Sequence, residues 1–282
     1  MELELHQIRL LIDSQFPGFK NLEIRKIKNS GHDNHSYHLG DDFSLRFPSA
    51  EAYSTQVIKE HRYLKVLQKS IPIPITQPLF LGKPSELFPY HFSINQWIDG
   101  ESVTKFNIQD KNTFALELAQ FLIDLQTCDT KDGILPGTHN FYRGASLSIY
   151  HDETIQAIKE CKLFNKNKCL DIWIKANESE FVGKPVWIHG DFEVGNILVK
   201  NGHLTAVIDF GNMAIGDPAC DYVIAWTYFD IESRKIFFDK LKVDDYTINR
   251  AKAWALWKAL ITIDDPKRQE SASYTLNELL CA

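Results

Sequence analysis

What most limits the fold of this 282-residue chain is a short β-rich island at residues 186–208, in which three apolar runs (186–188, 197–199 and 204–208) are separated by polar loops. The runs are of strand length and too brief for buried helices. They sit inside sequence that otherwise reads as helix from Gly100 to the end, so the chain combines the two. The island's loops hold Asp191 and Asn196, five residues apart, and Asp209 stands thirteen beyond the Asn at the end of another strand.

The first third has the opposite balance, with strands broken by turns around one long helix. Leu22, Ile24 and Ile27 suggest a strand entering the polar loop Ser30-Gly31-His32-Asp33-Asn34, and residues 36–39 and 43–47 read as a hairpin around Gly40-Asp41-Asp42. Residues 51–69 lack Gly and Pro and predict a helix, ended by the cluster Pro72, Pro74 and Pro78. A further strand is expected over 88–98, closing at Asp99-Gly100. Beyond it, residues 110–126 carry Phe114, Leu118, Phe121, Leu122 and Leu125 at the spacing of a core helix. From about Ala219 the pattern is helical again, with Trp226, Trp254 and Trp257 in the core or lining a cleft.

At 44% hydrophobic and 24% charged residues the composition is that of a globular protein of one or two domains. No run approaches the roughly 20 apolar residues of a membrane helix. The first eleven residues carry Glu2, Glu4 and Arg9 where a signal would be basic and then apolar, so a cytoplasmic protein with no membrane partner is expected. The net charge of −6 argues against a nucleic-acid polymer as partner, since such binding is driven by Lys and Arg on phosphates. Cys128, Cys161, Cys169, Cys220 and Cys281 form no CxxC pair and are odd in number, which points to reduced thiols and not to zinc. The charge is uneven: residues 1–96 hold 11 basic and 10 acidic side chains, residues 97–282 hold 20 and 27. A solvated surface accounts for that acidity as simply as an acidic site does.

Two carboxylates and a carboxamide converging from strand ends suit phosphoryl transfer: one Asp to orient a hydroxyl, with an Asn and a second Asp to hold Mg²⁺ through hard oxygens. Asp and Asn also favour turns for reasons unrelated to catalysis. Here spacing, order and strand context agree on chemistry. An independent sign lies in the helix at 51–69, where Val57, Leu64 and Leu67 mark the apolar face and Glu60 falls on it. An inward carboxylate needs a cationic partner. Arg46, on the strand at 43–47, is the nearest basic residue of the right kind.

The run His189-Gly190-Asp191-Phe192-Glu193-Val194-Gly195-Asn196, followed by Ile208-Asp209-Phe210-Gly211 and Gly216-Asp217-Pro218-Ala219-Cys220-Asp221, resembles the signature of the aminoglycoside and macrolide phosphotransferases, whose fold is similar to that of protein kinases. The resemblance runs from about Leu22 to Trp257. It implies an α+β, bilobal protein-kinase-like fold, with a small antiparallel-sheet nucleotide-binding lobe over 1–95 and a mainly helical catalytic and substrate-binding lobe over 96–282. It implies ATP or GTP as donor, Mg²⁺, and a small-molecule hydroxyl as acceptor. By the same resemblance Asp191 is the catalytic residue, Asn196 and Asp209 bind metal, and Arg46, held by Glu60, touches the nucleotide phosphates. The loop with Gly31 and Ser36 covers those phosphates, although with one Gly it reads equally as an ordinary hairpin turn. Backbone groups of Gln96 and Ile98 read the purine edge, where a plain edge strand is the alternative. His189 and Gly190 shape the catalytic loop, Asp217 braces it from a helix start, and Asp221 is a less favoured substrate contact. Arg46 stands where such kinases usually have Lys; Arg keeps the charge and can fork onto carboxylate and phosphate.

Arg46 also motivates a rival reading, a nucleotide-binding module without catalysis, against which stands the joint presence of Asp191, Asn196 and Asp209. A protein kinase fits less well, because only four residues separate Gly211 from Gly216, leaving no activation segment. The acidity of 97–282 favours an aminoglycoside-like acceptor held by carboxylates among Asp230, Glu232, Asp264, Asp265 and Glu270. Trp226, Tyr228, Phe229, Trp254 and Trp257 suit a macrolide ring about as well, and a small metabolite alcohol stays open, as does the oligomeric state.

Overall fold

Alternation along a strand sends successive side chains to opposite faces, and this decides where Arg46 goes. The computed structural model, which describes residues 2–27 and 31–280, begins with α1 (Leu5–Gln15) and β1 (Ile24–Lys26), followed by the hairpin of β2 (Asn34–Leu39) and β3 (Phe43–Pro48). Tyr37, Leu39, Leu45 and Phe47 join Ile8, Leu11, Phe92 and Ile94 in one apolar core. Leu45 and Phe47 are 0% and 1% exposed, a burial that contributes roughly 2–3 kcal/mol each. Arg46, between them, is turned to the other face, where it meets α2 (Ser54–Leu67).

On α2 the buried positions Val57, Glu60, Leu64 and Leu67 follow helical spacing, so Glu60 lies on the inward side with the apolar residues. Strands β4 (Pro78–Gly82) and β5 (Phe92–Gln96) complete an antiparallel sheet in the order β1-β2-β3-β5-β4. Its register places Ser36 and Ser93 on either side of Arg46.

The chain then enters β6 (Glu101–Ser102) and α3 (Lys111–Thr127), whose N-terminus is capped by Asp110 accepting from the N–H groups of Asn112 and Thr113. After α4 (His151–Glu160) and α5 (Lys166–Asn177) come β7 (Val186–Ile188), β8 (Ile197–Lys200), β9 (His203–Val207) and β10 (Ala214–Gly216). The helices α6 (Ile224–Thr227), α7 (Ile231–Leu241), α8 (Asp245–Thr262) and α9 (Gln269–Leu280) end the described chain. A second, larger core joins α3, α8 and the island strands, and it also takes Tyr63, Leu64 and Leu67 from α2.

The expected hairpin, the helix at 51–69 and the core helix at 110–126 are all present. Four elements were not anticipated: α1, β4, β6 and β10. The strand expected over 88–98 is confined to β5, since Phe88 is buried outside the ladder. The β-rich island is divided between two sheets: β7 pairs with β10, while β8 lies between β9 and β6. Among the described residues no helix is long and apolar enough to cross a membrane. Cys128, Cys161, Cys169 and Cys220 are free and buried, and Cys281 and Ser30 lie outside the described residues.

Candidate active site

Strand β7 delivers the loop that begins at His189, and backbone geometry fixes its course. Gly190 has φ +80, and a Cβ there would run into the Asn212 carbonyl, whose carbon stands 2.8 Å away. Only glycine fits both constraints. His189 is fully buried; its Nε2–H donates to the Ile208 carbonyl at 3.0 Å and its Nδ1 accepts from the Asp191 N–H at 3.2 Å, the tautomer that these two partners require. A neutral imidazole therefore ties the Asp191 loop to the strand end that carries Asp209.

Asn196 donates from Nδ2 to the Asp191 carbonyl at 2.9 Å and to Asp191 Oδ2 at 3.2 Å. Its side-chain oxygen is left for another partner. Asp209 sits in the left-handed region at φ 64, ψ 64, sparsely populated by non-glycine residues, with its N–H held by Thr76 Oγ1 at 3.0 Å.

Arg46 links the two halves of the cleft. Its Nη1 donates to both Glu60 oxygens at 2.9 and 3.0 Å, and its Nη2 reaches Asp209 Oδ1 at 2.5 Å. Burial works against the guanidinium charge, but Asp209 and Glu60 outweigh it and hold Arg46 firmly cationic. Burial raises the Glu60 carboxyl, and Arg46 opposes that shift. The forked geometry is what lets one Arg hold two carboxylates on different lobes.

The sequence reading gave Asp217 the task of bracing the catalytic loop, and here the structure corrects it. Asp221, fully buried, accepts from the His189 N–H at 2.7 Å and the Gly190 N–H at 2.8 Å, so it is the brace and is out of reach of a substrate. Burial pushes its carboxyl up to about 6, with the two N–H donors pulling the other way. Asp217 instead caps the Ala219 N–H and pairs with Arg250 Nε at 2.6 Å, tying the turn before α6 to α8.

A cleft of about 790 Å³ lies between the sheet and the island, lined by Gly31, Ser36, Arg46, Gln96, Ile98, Asn196 and Asp209 among others. The Gln96 N–H is already spent on the Gln77 carbonyl at 2.9 Å and the Trp97 N–H on Asp42 at 2.7 Å. Of the three consecutive N–H groups, only that of Ile98 has no partner among the described residues.

On the far side of Asp191 a second cleft of about 690 Å³ contains residues the sequence reading missed. Lys258, on α8, lies with its Nζ 3.0 Å from Asp191 Oδ1 and also bonds Glu193. Burial works against charge on both partners; still, Lys258, with Arg143 adding to it, brings the Asp191 carboxyl down to about 2. Asp191 and Glu193 in turn keep Lys258 above its ordinary range. Arg143 lines the same cleft, with its guanidinium 4.4 Å from the Trp257 ring centroid.

Of the acidic candidates for an acceptor site, only Asp265 lines this cleft. Asp230 caps α7 at Ser233, Glu232 accepts from Asn112 at 2.9 Å, and Glu270 pairs with Lys105 at 2.5 Å. The aromatic candidates Trp226 and Phe229 are core residues at 1% and 0% exposure. Charge and aromatic counts over a whole lobe do not say which side chains share a face.

A divalent cation suits Asn196 and Asp209. Each offers a hard oxygen toward the cleft, and Mg²⁺ is commonly held by one or two protein oxygens plus nucleotide phosphates. Among the described residues no group of three His, Cys, Asp or Glu converges, so no all-protein metal cage competes with this arrangement.

Residues 23–257 match the model of the phosphotransferase enzyme family. Among solved structures, the GDP complex of an aminoglycoside 2'-phosphotransferase-IIIa is similar at 20% identity and TM-score 0.75, over 99% of this chain and 97% of that one. A macrolide 2'-phosphotransferase type I is similar at 16% identity and TM-score 0.67, over the whole of both chains (100% and 100%). A ternary complex of streptomycin, ATP and APH(2")-IIa matches at 18% identity and TM-score 0.63, over 99% and 100%. With a five-stranded antiparallel sheet packed on a mainly helical half around the His189–Asn196 loop, this chain belongs to the phosphotransferase enzyme family and has its protein-kinase-like fold.

Proposed function

We propose that the protein transfers the γ-phosphoryl group of ATP or GTP to a hydroxyl group of a small molecule, with residues 1–95 as the nucleotide-binding lobe and 96–282 as the catalytic and substrate-binding lobe. The observation that carries this reading is the double lock at one cleft: Arg46 holds Glu60 and Asp209 together while Asn196 holds Asp191. Asp191 accepts a hydrogen bond from the acceptor hydroxyl and aligns it. With its carboxyl near 2 it serves as an orienting acceptor more than a strong base, which suffices for a loose phosphoryl-transfer transition state. Arg46 stays cationic beside the phosphates. Mg²⁺ bound by Asn196 and Asp209 supplies neutralisation of phosphate charge. Positioning in the cleft does the remainder.

Relatives described with streptomycin, kanamycin or a macrolide name suggest an antibiotic acceptor such as an aminoglycoside. The acidity that pointed the same way loses its force, because Asp230, Glu232 and Glu270 are engaged elsewhere. The test is Asp191→Ala: turnover is expected to fall by at least a hundredfold with nucleotide affinity within threefold of the parent. Turnover within tenfold removes Asp191 from this role, and failure of the parent to phosphorylate any hydroxyl acceptor while binding nucleotide supports the non-catalytic module.

A further inference from the structure

The acceptor side of Asp191 is richer in hydrogen-bond donors than in free carboxylates. Asp191 and Glu193 share Lys258, and Asp265 lies 3.7 Å from Arg268. Asp33 takes a hydrogen bond from Gln56 at 3.2 Å. Arg143 is different. It is half-buried, it lines the cleft, and among the described residues its guanidinium makes no ion pair or hydrogen bond, only the stack on Trp257 at 4.4 Å and Trp254 at 5.7 Å. A guanidinium held over an indole by its charge alone keeps its N–H groups for another partner, and the fork matches a carboxylate or phosphate.

A second observation points to the same place. Beside the cleft, and sharing Arg143, Asp191 and Lys258 with it, is a recess of about 20 Å³ that Trp254 also lines. That volume admits a water or one oxygen of a ligand. Trp254 is 2% exposed, and its Nε1–H is a buried donor with no partner among the described residues. Buried donors without a partner are rare enough to require an explanation, and a ligand oxygen in the recess is one.

We infer that the acceptor carries an anionic group, a carboxylate or a phosphate, which Arg143 receives beside the hydroxyl aligned by Asp191, with the Trp254 N–H serving the recess. This rests on the reading of Asp191 as the hydroxyl-aligning residue. It departs from the aminoglycoside that the relatives' names suggest: a polycation's ammonium groups would face Arg143, Lys258 and Arg268, with Asp191, Glu193 and Asp265 already paired.

The experiment titrates the full chain, loaded with ADP and Mg²⁺, with gluconate, glucose 6-phosphate, glucose and kanamycin, reading intrinsic tryptophan fluorescence. Gluconate or glucose 6-phosphate should bind at least tenfold more tightly than glucose, and the two anions separate a carboxylate site from a phosphate site. In Arg143→Gln that preference should be lost at least tenfold; Arg143→Lys should retain part of it, and Trp254→Phe should weaken it severalfold. ADP affinity, measured in the same preparations, checks that each variant is folded. Equal or tighter binding of glucose or kanamycin, no anion binding, or an unchanged preference in a folded Arg143→Gln overturns the inference. The proposed kinase activity is judged separately, by whether the parent binds nucleotide and phosphorylates any acceptor in the panel.

Discussion

Lys258 Nζ, on α8, stands 3.0 Å from Asp191 Oδ1 and also bonds Glu193, so a single ammonium from a helix 67 residues further along the chain pairs with two carboxylates of the His189–Asn196 loop. This relationship has two effects. It keeps Asp191 ionised despite burial, and it docks α8 onto the loop that must stay fixed during transfer.

Replacing Lys258 with Met should therefore cost more than a surface charge. Two partly buried carboxylates lose their partner, and with side chains 32% and 35% exposed the penalty is discounted to about 1–2 kcal/mol. Turnover should fall about tenfold to a hundredfold while nucleotide affinity changes less than threefold, and Lys258→Arg should recover part of the loss. Urea unfolding and steady-state kinetics on the same samples check this. A nucleotide affinity that falls with turnover would assign Lys258 to the other cleft.

The part of the site that was legible in the sequence is the part made by short-range pattern. Asp191, Asn196 and Asp209 sit at fixed offsets around two short strands, and Glu60 betrays itself as a charge on the apolar face of α2. Arg46 follows as the basic residue on the strand at 43–47 nearest to that inward carboxylate. Lys258, Arg143 and Asp221 do not, because they reach the loop through tertiary packing of α8 and the turns around it, and no spacing rule links Lys258 to Asp191. One signal was present for Asp221: it stands beside Asp217 in the same motif, and the role of brace was given to the wrong member of the pair. The strand β4 was hidden for a different reason. It begins at Pro78, read there only as a helix stop, yet a Pro is tolerated at the first residue of an edge strand. Whole-lobe charge said least about the site, since net charge describes a surface and not a cleft.

Asp221 gives a pH prediction with a definite sign. Its carboxyl is raised by burial to about 6 from an ordinary value of 3.8, so between these limits the folded state binds more protons than the unfolded state. Stability contributed by this group is present below about pH 4 and is lost as pH rises through about 6. Asp221→Asn should flatten that portion of the stability curve relative to the parent, and it should also lower turnover, because one amide oxygen cannot replace two carboxylate oxygens on the His189 and Gly190 N–H groups. Thermal unfolding at half-unit pH steps from 4 to 7 measures the difference. Parallel curves for parent and variant would mean that Asp221 does not titrate in this range.

Asp209 should reveal itself through metal removal. If its carboxylate serves Mg²⁺, adding the ion should tighten nucleotide binding by the parent at least tenfold, and in Asp209→Asn by less than threefold, since a neutral amide is a poorer ligand for a hard cation. Affinity in chelator should be similar for the two. Calorimetry with and without Mg²⁺ makes the comparison, and equal losses under both conditions would assign Asp209 only to holding Arg46.

The Arg46–Glu60 pair yields an asymmetric expectation. Glu60 is 1% exposed, with both oxygens on Arg46 Nη1, so Arg46→Ala strands a buried carboxylate and should destabilise by about 3–5 kcal/mol. Glu60→Ala leaves Arg46 its bond to Asp209, so the guanidinium keeps a partner and the loss should be smaller, about 1–3 kcal/mol. The double variant removes both charges and should cost less than the two singles together, by at least about 1 kcal/mol. Urea midpoints at unchanged m-value give the four corners of the cycle. If Glu60→Ala proves as costly as Arg46→Ala, then Asp209 does not support the guanidinium once Glu60 is gone, and the bridge between the two halves of the cleft is weaker than its geometry implies.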